Sequence, residues 1–347
     1  MSFIDPMGRS DKRTVMVMTV FHLKAKMARE HVSHKDLLNF GVDKVNLPPE
    51  KANEYREQAN RLKEKLEGYL ADHPDFTLKR LMTSGSLAKG TALRNTSDID
   101  LAAYITGPNV PQKIEDLLEY LAERLRKAFP NFSPDQIKPQ TYSVTVSFRG
   151  SGLDVDVVPI LYDGNPIWDG NLVSQDDGSF LMTNIPKHIE FIRKRKRKND
   201  QDFAQVVRLA KFWAKRLKSE NKEFRFKSFM IELIMAKLSD DGKSFSDYPE
   251  ALQNFFTYLA KTDLKEMIAF SDYYPKSSIG SITDRVQIID PVNAKNNASR
   301  LYTEKEANAI VDAALEAGDA IDSALKAVTK GDTIYYWKKV FGPTFNP

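Results

Sequence analysis

The stretch Thr83–Ile105 has the sequence TSGSLAKGTALRNTSDIDLAAYI and places two aspartates one residue apart at the start of an apolar segment. Alternate residues of a β-strand point to the same face, so Asp98 and Asp100 are predicted to share one face of a strand. Two anions held side by side repel each other unless a cation lies between them. Just upstream, Gly85 and Ser86 are predicted to form a turn and to begin a short helix. The stretch therefore predicts a cation site beside a turn.

A second acidic pair occurs in LDVDVVP, where Asp154 and Asp156 share a face of a later predicted strand. If the two strands are neighbours, three or four carboxylates converge on one patch, and the valines between them argue against a solvated surface. Converging hard oxygen ligands suit Mg²⁺, and two such ions can activate a hydroxyl and stabilise a leaving pyrophosphate. The Gly85 turn adds a close backbone approach to a phosphate, although a Gly-Ser turn alone is usually a helix cap.

The composition narrows the class of protein. The 347 residues include no cysteine, which excludes disulfides, thiolate zinc sites and cysteine nucleophiles. No apolar run has the length of a membrane span and no signal peptide is evident, so we expect a cytoplasmic protein without membrane contact. The net charge of +4 conceals a segment, 187–227, with fifteen Lys/Arg and five Asp/Glu. This segment predicts a polyanionic partner, either a nucleotide or a nucleic acid.

Hydrophobic periodicity predicts an α+β half followed by an all-α half. The first half, 1–185, combines short N-terminal helices, a long helix that ends near Ala71 and several strands, two of which form a hairpin across Gly150–Gly152. The second half, 186–347, is predicted to be a helical lobe that includes a capping box from Thr303 to Glu306. A cleft between the halves is the expected position of the site.

These motifs resemble those of a known superfamily. GS followed twelve residues after the serine by DID, and then by DVDVVP, resembles the polymerase-β-type nucleotidyltransferases. More narrowly, the stretch is similar to the oligoadenylate synthetases and to the bacterial cGAS/DncV-like nucleotidyltransferases (CD-NTases). VRLAKFW, KSFMIELI and IIDPVNAKNNAS extend the resemblance over about residues 50–300. The resemblance implies a polymerase-β-like core with a mixed sheet and a long N-terminal helix, and an oligoadenylate-synthetase-like helical lobe, with the active site in the cleft.

The resemblance also implies roles for individual residues. Two Mg²⁺ ions, or Mn²⁺, are expected at three catalytic acids, with Asp154 as an outer neighbour of the site. The remaining positions are expected to bind the nucleotide, through its phosphates and, for the aromatic residue, its base. The catalytic and metal-binding residues are Asp98, Asp100 and Asp156, and the nucleotide-binding residues are Gly85, Ser86, Lys211, Ser228 and Phe229.

By the same resemblance the chain is expected to join NTPs into a cyclic di- or trinucleotide in antiphage (CBASS) signalling, with release of pyrophosphate. A separate effector protein would bind the product, and the cyclase would be a monomer. Two alternatives stay open: nucleotide addition to RNA ends or RNA-activated linear oligoadenylate synthesis, and an inactive nucleotide- or RNA-binding scaffold. The basic run 193–198 is either a solvated helix end or a groove for nucleic acid. The scattered histidines are interpreted as structural.

Overall fold

The computed structural model describes residues 31–73, 77–96, 98–173 and 178–347, and the predicted helices before residue 31 lie outside this part. Its centre is a seven-stranded mixed sheet in the order β1-β2-β5-β4-β3, with β6 and β7 extending one end of β5. The strands are β1 (Thr77–Thr83), β2 (Asp98–Thr106), β3 (Ile137–Pro139), β4 (Val144–Phe148), β5 (Leu153–Tyr162), β6 (Gly170–Val173) and β7 (Phe180–Thr183).

The register of the central strands brings the two acidic motifs together. Strands β2 and β5 are parallel, with Asp98 opposite Asp154 and Asp100 opposite Asp156. Strands β4 and β5 form the predicted antiparallel hairpin. Strand β4 begins at Val144, and Tyr142 before it is 43% exposed. The prediction that the acidic strands are neighbours is confirmed.

The described part of the first half contains four α-helices beside the sheet strands. The long helix has proline at its first position and buries Ala52, Ala59, Leu62 and Leu66 along one stripe, as its periodicity predicts. The first helix continues into a single π turn, Gly41–Val45. The helices are α1 (His34–Phe40), α2 (Pro49–Ala71), α3 (Gly85–Lys89) and α4 (Ile114–Ala128).

The second half is helical apart from a two-stranded hairpin. The predicted capping box is present, since Thr303 and Glu306 exchange side-chain to backbone hydrogen bonds. Across the described residues, no helix is long and apolar enough to cross a membrane. The elements are α5 (Ile185–Lys198), α6 (Asp202–Glu220), α7 (Ser228–Asp240), α8 (Tyr248–Thr262), β8 (Ile289–Asp290), β9 (Asn293–Asn297), α9 (Glu304–Lys326) and α10 (Lys330–Phe341).

Two large hydrophobic cores organise the molecule. One lies between the sheet, α2 and α4, and the other lies among the helices after residue 185. Helix α1 and its π turn contribute Leu37, Phe40 and Val45 to the second core, so this N-terminal segment packs against the helical lobe. Arg208 on α6 ties the halves by donating to Asn46 Oδ1 and to the carbonyl of Gly90. The boundary at residues 185 and 186 stays a prediction.

Candidate active site

Four aspartates form an acidic patch at the start of β2 and β5. The members of each pair are two residues apart, and the register sets one pair opposite the other, so all four side chains lie on one face of the sheet. Strand β4 donates two hydroxyl hydrogen bonds to the aspartates of β5. Thr145 donates to Asp156 Oδ1 at 2.5 Å, and Ser147 donates to Asp154 Oδ1 at 2.6 Å. The patch therefore contains two carboxylates on β5 that are held by hydrogen bonds and two on β2, Asp98 and Asp100, that face the cleft.

The Gly85 turn lies directly against this patch. Gly85 has φ +60°, and a Cβ added to it would lie 1.7 Å from Asp100 Oδ2. The turn is fixed from the side of β2, because Ser84 N–H donates to the carbonyl of Asp100 at 2.8 Å. Only glycine combines this backbone conformation with so close an approach to the carboxylate. The predicted proximity of the Gly-Ser turn and the acids is thus present in the structure.

Asp100 is the electrostatically strained member of the patch. Burial, followed by the charges of Asp98 and Asp156, raises the pKa of Asp100 from 3.8 to about 6, and Lys89 offsets part of this effect. Carboxylates held near each other in this way favour a cation that neutralises them. The raised pKa therefore supports the expected cation site.

The donor set suits a divalent ion although it does not form a closed coordination shell. In the described ranges, no three His, Cys, Asp or Glu side chains are clustered as a ready-made metal site. Asp156 explains part of this, because its Oδ1 is held by Thr145 and it lines neither of the two cavities described below. Carboxylate oxygens are the ligands that Mg²⁺ and Mn²⁺ prefer, and a bound cation would relieve the repulsion between these carboxylates.

Two adjoining cavities meet at the patch. The lysine cavity, of about 590 Å³, contains Ser86, Asp98 and Ser228 among its lining residues, together with five lysines. The apolar cavity, of about 520 Å³, extends from Gly85 past the end of β5 and over β6, β7 and the β8–β9 hairpin. Both cavities share five lining residues: Gly85, Lys89, Asp100, Lys227 and Phe229. The structure therefore brings every predicted nucleotide-binding residue to one bipartite cleft.

Lys211 lies in this cleft but its ammonium already has partners. It donates to Glu232 Oε1 at 2.5 Å and to Thr91 Oγ1 at 2.9 Å, and its side chain is only 3% exposed. Glu232 also accepts from Lys89 at 2.9 Å and from Thr91 at 2.6 Å. Burial opposes ionisation of Glu232, but Lys211 and Lys89 outweigh it and hold its pKa at about 2. Lys89, Thr91 and Glu232, which form this network, were not predicted from the sequence.

Glu232 should be important for stability because the buried Lys211 and the partly buried Lys89 both depend on it. Replacing Glu232 with alanine should lower the free energy of unfolding by about 3–5 kcal/mol, since it leaves buried cations without a counter-ion. Urea denaturation followed by tryptophan fluorescence would measure the change. The matched control is Glu223→Ala, which breaks the exposed pair with Lys305 and should leave the free energy of unfolding close to that of the wild type. Equal losses in the two variants would contradict the role of the network.

Phe229 occupies the wall between the two cavities. The ammonium of Lys89 lies 4.6 Å from the centre of its ring, and the His188 ring meets it edge-on at 5.6 Å. Asp290, within the predicted Asp-Pro loop, accepts from His188 Nε2 at 2.8 Å and also from Asn296. His188 thus lies between Asp290 and the aromatic wall of the cleft and supports that wall, while it also lines the apolar cavity.

Most of the basic run 193–198 is engaged in structural contacts. Arg195 is buried between Asp240 and Asp272, and Lys194 also contacts Asp272. Arg197 pairs with Glu190, and Lys198 donates to the Ser239 carbonyl at 2.5 Å. Arg193 and Lys196 have no hydrogen-bond or ion-pair partner in the described part of the chain, and burial and two neighbouring arginines lower the pKa of Lys196. Arg193 and Lys196 are therefore the cations of the run that can bind a polyanion without giving up a partner.

Comparison with known proteins identifies the class. Residues 62–162 match the family model described as a nucleotidyltransferase domain. A cyclic AMP-AMP-AMP synthase of Escherichia coli (strain MS 115-1) is 65% identical over 92% of this chain and 99% of its own length. A CBASS oligonucleotide cyclase, CdnC, of Escherichia coli (strain KTE188) is 36% identical over 87% of this chain and 93% of its own.

Solved structures agree with this class. The Escherichia coli MS115-1 CdnC with ATP has a TM-score of 0.87 at 65% identity and covers 91% of this chain and 100% of its own. The same protein in complex with HORMA-deltaN has a TM-score of 0.86 at 64% identity and covers 92% of this chain and 99% of its own. The fold is thus that of a polymerase-β-type nucleotidyltransferase, as predicted.

The chain belongs to the CD-NTases, the bacterial relatives of the oligoadenylate synthetases. It is an oligonucleotide cyclase of CBASS signalling, which joins NTPs with release of pyrophosphate. The alternatives of a scaffold and of an RNA-end-modifying enzyme are not supported by these relatives.

Proposed function

We propose that the cyclase joins three molecules of ATP into a cyclic triadenylate. The observation that carries this proposal is the bipartite cleft, in which two cavities share Asp100, Gly85 and Phe229 and so offer adjacent places for a donor and an acceptor. The choice of ATP and of ring size is supported by the 65% identical relative, whose name specifies cyclic AMP-AMP-AMP. ATP binding is also supported by the structure of CdnC with ATP.

Each wall of the cleft has a distinct proposed task. The lysine cavity would take the donor triphosphate, with Gly85 and Ser86 close to the phosphates and Ser228 donating from the opposite wall. The apolar cavity would hold the acceptor nucleoside, with Phe229 against a base. Asp98, Asp100 and Asp156 would hold two Mg²⁺ or Mn²⁺ ions, which supply Lewis-acid stabilisation of charge on the phosphates. Asp154, held by Ser147, stays outside this set.

We propose three kinds of partner for the cyclase: an effector protein, a HORMA-type protein and nucleic acid. The cyclic product would act on a separate effector protein, and the cyclase would itself be a monomer in the cytoplasm. A HORMA-type protein is a candidate partner because one accompanies the related CdnC. For nucleic acid, the supporting observation is a surface cavity whose lining includes Arg193, Lys63, Arg80 and Trp168, and in which three cations and an aromatic ring outnumber one acid, Glu190.

Product analysis tests the proposed reaction. The wild-type protein is incubated with each α-labelled NTP and Mg²⁺ or Mn²⁺, and the products are treated with phosphatase and analysed by mass spectrometry. We expect ATP alone to give a phosphatase-resistant ring of three adenylates. Parallel reactions contain a HORMA-domain protein, duplex DNA, duplex RNA or tRNA. A mixed-base ring, a ring of another size, or label appearing only on RNA ends would contradict the proposal.

A further inference from the structure

The hairpin of β4 and β5 carries two pairs of hydroxyl and carboxylate side chains on the face of the acidic patch. Thr145 lies directly opposite Asp156, and Ser147 lies directly opposite Asp154. Side chains that are directly opposed on antiparallel strands have Cβ atoms about 4.5–5.5 Å apart, so a short hydroxyl reaches the carboxylate across from it. The alternate residues of both strands are buried in the core of the sheet, and this burial fixes the register.

The two pairs differ in what lies beyond them on β2. The register puts Asp156 opposite Asp100, so Thr145, Asp156 and Asp100 form a row across three neighbouring strands. Asp100 ends this row at the cleft, where it lines both cavities, whereas Asp156 lines neither of them. The row therefore connects a hydroxyl of β4, through one proposed metal ligand, to a second one in the cleft.

The Thr145 hydroxyl limits how the carboxylate of Asp156 can turn. The terminal torsion of an aspartate has a broad energy minimum, so without a partner the plane of its carboxylate is poorly defined. Threonine is β-branched, which restricts its χ1 and therefore the direction of its hydroxyl. The hydrogen bond of 2.5 Å occupies Asp156 Oδ1, and Oδ2 has no hydrogen-bond partner among the described residues. Asp156 thus has one oxygen that is held and one that is available to a ligand.

We propose that Thr145 is a positioning residue for metal binding, because it orients Asp156 so that Oδ2 is presented to the ions. This inference rests on the proposed role of Asp156 as a metal ligand. Carboxylates that bind metals are themselves commonly held by hydrogen bonds, and the loss of such a bond typically costs about 10–100-fold in metal affinity or activity. Ser147 makes the same kind of bond to Asp154, which is outside the proposed set of ligands, and so provides a matched comparison.

Metal binding to the full chain tests the inference without turnover. Mn²⁺ is titrated, with a saturating non-hydrolysable ATP analogue, into the wild type and the variants, and free Mn²⁺ is measured by electron paramagnetic resonance. Thr145→Val keeps the shape of the side chain but removes the hydroxyl, and it should weaken Mn²⁺ binding about tenfold or more. Thr145→Ser restores the hydroxyl and should bind within about threefold of the wild type, as should Ser147→Ala, whose lost hydroxyl holds no proposed ligand.

Two further measurements separate positioning from a general loss of structure. The Mg²⁺ concentration for half-maximal pyrophosphate release should rise about tenfold in Thr145→Val, while KM for ATP at saturating Mg²⁺ should change less than about twofold. In a chelator, Thr145→Val and Ser147→Ala should melt at similar temperatures, because each loses one partly exposed hydrogen bond. The double variant Thr145→Val, Asp156→Asn should bind Mn²⁺ no more weakly than Asp156→Asn alone, because Thr145 acts through Asp156.

The outcomes distinguish this inference from the proposed function. Wild-type Mn²⁺ binding by Thr145→Val overturns the inference, and so does an equal loss in Thr145→Ser or in Ser147→Ala. Thr145→Ala gives the same comparison if the valine variant does not fold. Wild-type Mn²⁺ binding by Asp156→Asn would instead contradict the proposed role of that acid. A wild type that binds neither the ATP analogue nor Mn²⁺ would contradict the proposed function itself.

Discussion

Replacing Asp100 with asparagine should lower the rate of pyrophosphate release by about a thousandfold or more, while the metal-free protein becomes more stable at neutral pH. A loss of this size corresponds to about 4 kcal/mol in the activation barrier, which is the scale of stabilisation that a bound divalent ion gives to a phosphoryl group. A coupled pyrophosphate assay with ATP and Mg²⁺ measures the first effect. Thermal denaturation in the presence of a chelator measures the second.

The stability effect has a defined pH dependence. The raised pKa of Asp100, about 6, means that the folded protein binds its proton more tightly than the unfolded chain, whose ordinary value is 3.8. Ionisation of Asp100 therefore costs stability as the pH rises from about 4 to above 6, and this cost is at most about 3 kcal/mol because the carboxyl keeps some contact with solvent. Asp100→Asn should thus melt above the wild type at pH 7.5 and close to it at pH 4.

Asp154→Asn is the matched control for this experiment. Asp154 lies on the same face of the sheet, opposite Asp98, but its Oδ1 is held by Ser147 and it lines neither cavity of the cleft. Its replacement should leave pyrophosphate release within about threefold of the wild type, because an amide oxygen can still accept the Ser147 hydrogen bond. Comparable losses in both variants would show that the patch acts only through its total charge.

The faces on which the four aspartates lie were predictable because they depend on local periodicity, whereas the polymerase-β-like fold was inferred from the resemblance of the motifs to a known superfamily. A period of two fixes which face Asp98, Asp100 and Asp156 share, and the hairpin across Gly150–Gly152 follows from two short β-rich runs and their link. The valine pattern of β5 indicates a strand buried in the middle of a sheet, but it does not fix which strand pairs with it. These features need no knowledge of how distant side chains pair.

The charge pairing was not predictable in the same way. Glu232 is the one acid in the apolar helix SFMIELIMAKL before its last turn, which indicates a buried partner, but nothing local says that the partners are Lys211 and Lys89. The run 193–198 shows the same limit, because the acids that neutralise Arg195 come from Asp240 and Asp272, far along the chain. A count of charges along a sequence cannot tell a structural cation from a ligand-binding one.

Gly85→Ala should lower the rate of pyrophosphate release by about a hundredfold, because the added methyl group displaces the carboxylate of Asp100, which is proposed to hold the metal ions. Its Cβ would lie 1.7 Å from Asp100 Oδ2 and 2.6 Å from the carboxyl carbon, so either Asp100 changes rotamer or the turn moves away from β2. Part of the effect is backbone strain at φ +60°, which costs an alanine about 1–2 kcal/mol. Steady-state kinetics with ATP should show the loss mainly in kcat.

The chain provides a variant that separates strain from collision. Gly152, in the turn between β4 and β5, has φ +66° but no atom within 4 Å of an added Cβ. Gly152→Ala should therefore lose about as much thermal stability from strain as Gly85→Ala and yet keep its rate of pyrophosphate release within about twofold of the wild type. If Gly85→Ala also keeps its rate, the close approach of the turn to Asp100 has no part in catalysis. The two alanine variants thus measure, at nearly equal backbone cost, what the contact between the turn and the acid contributes to the reaction.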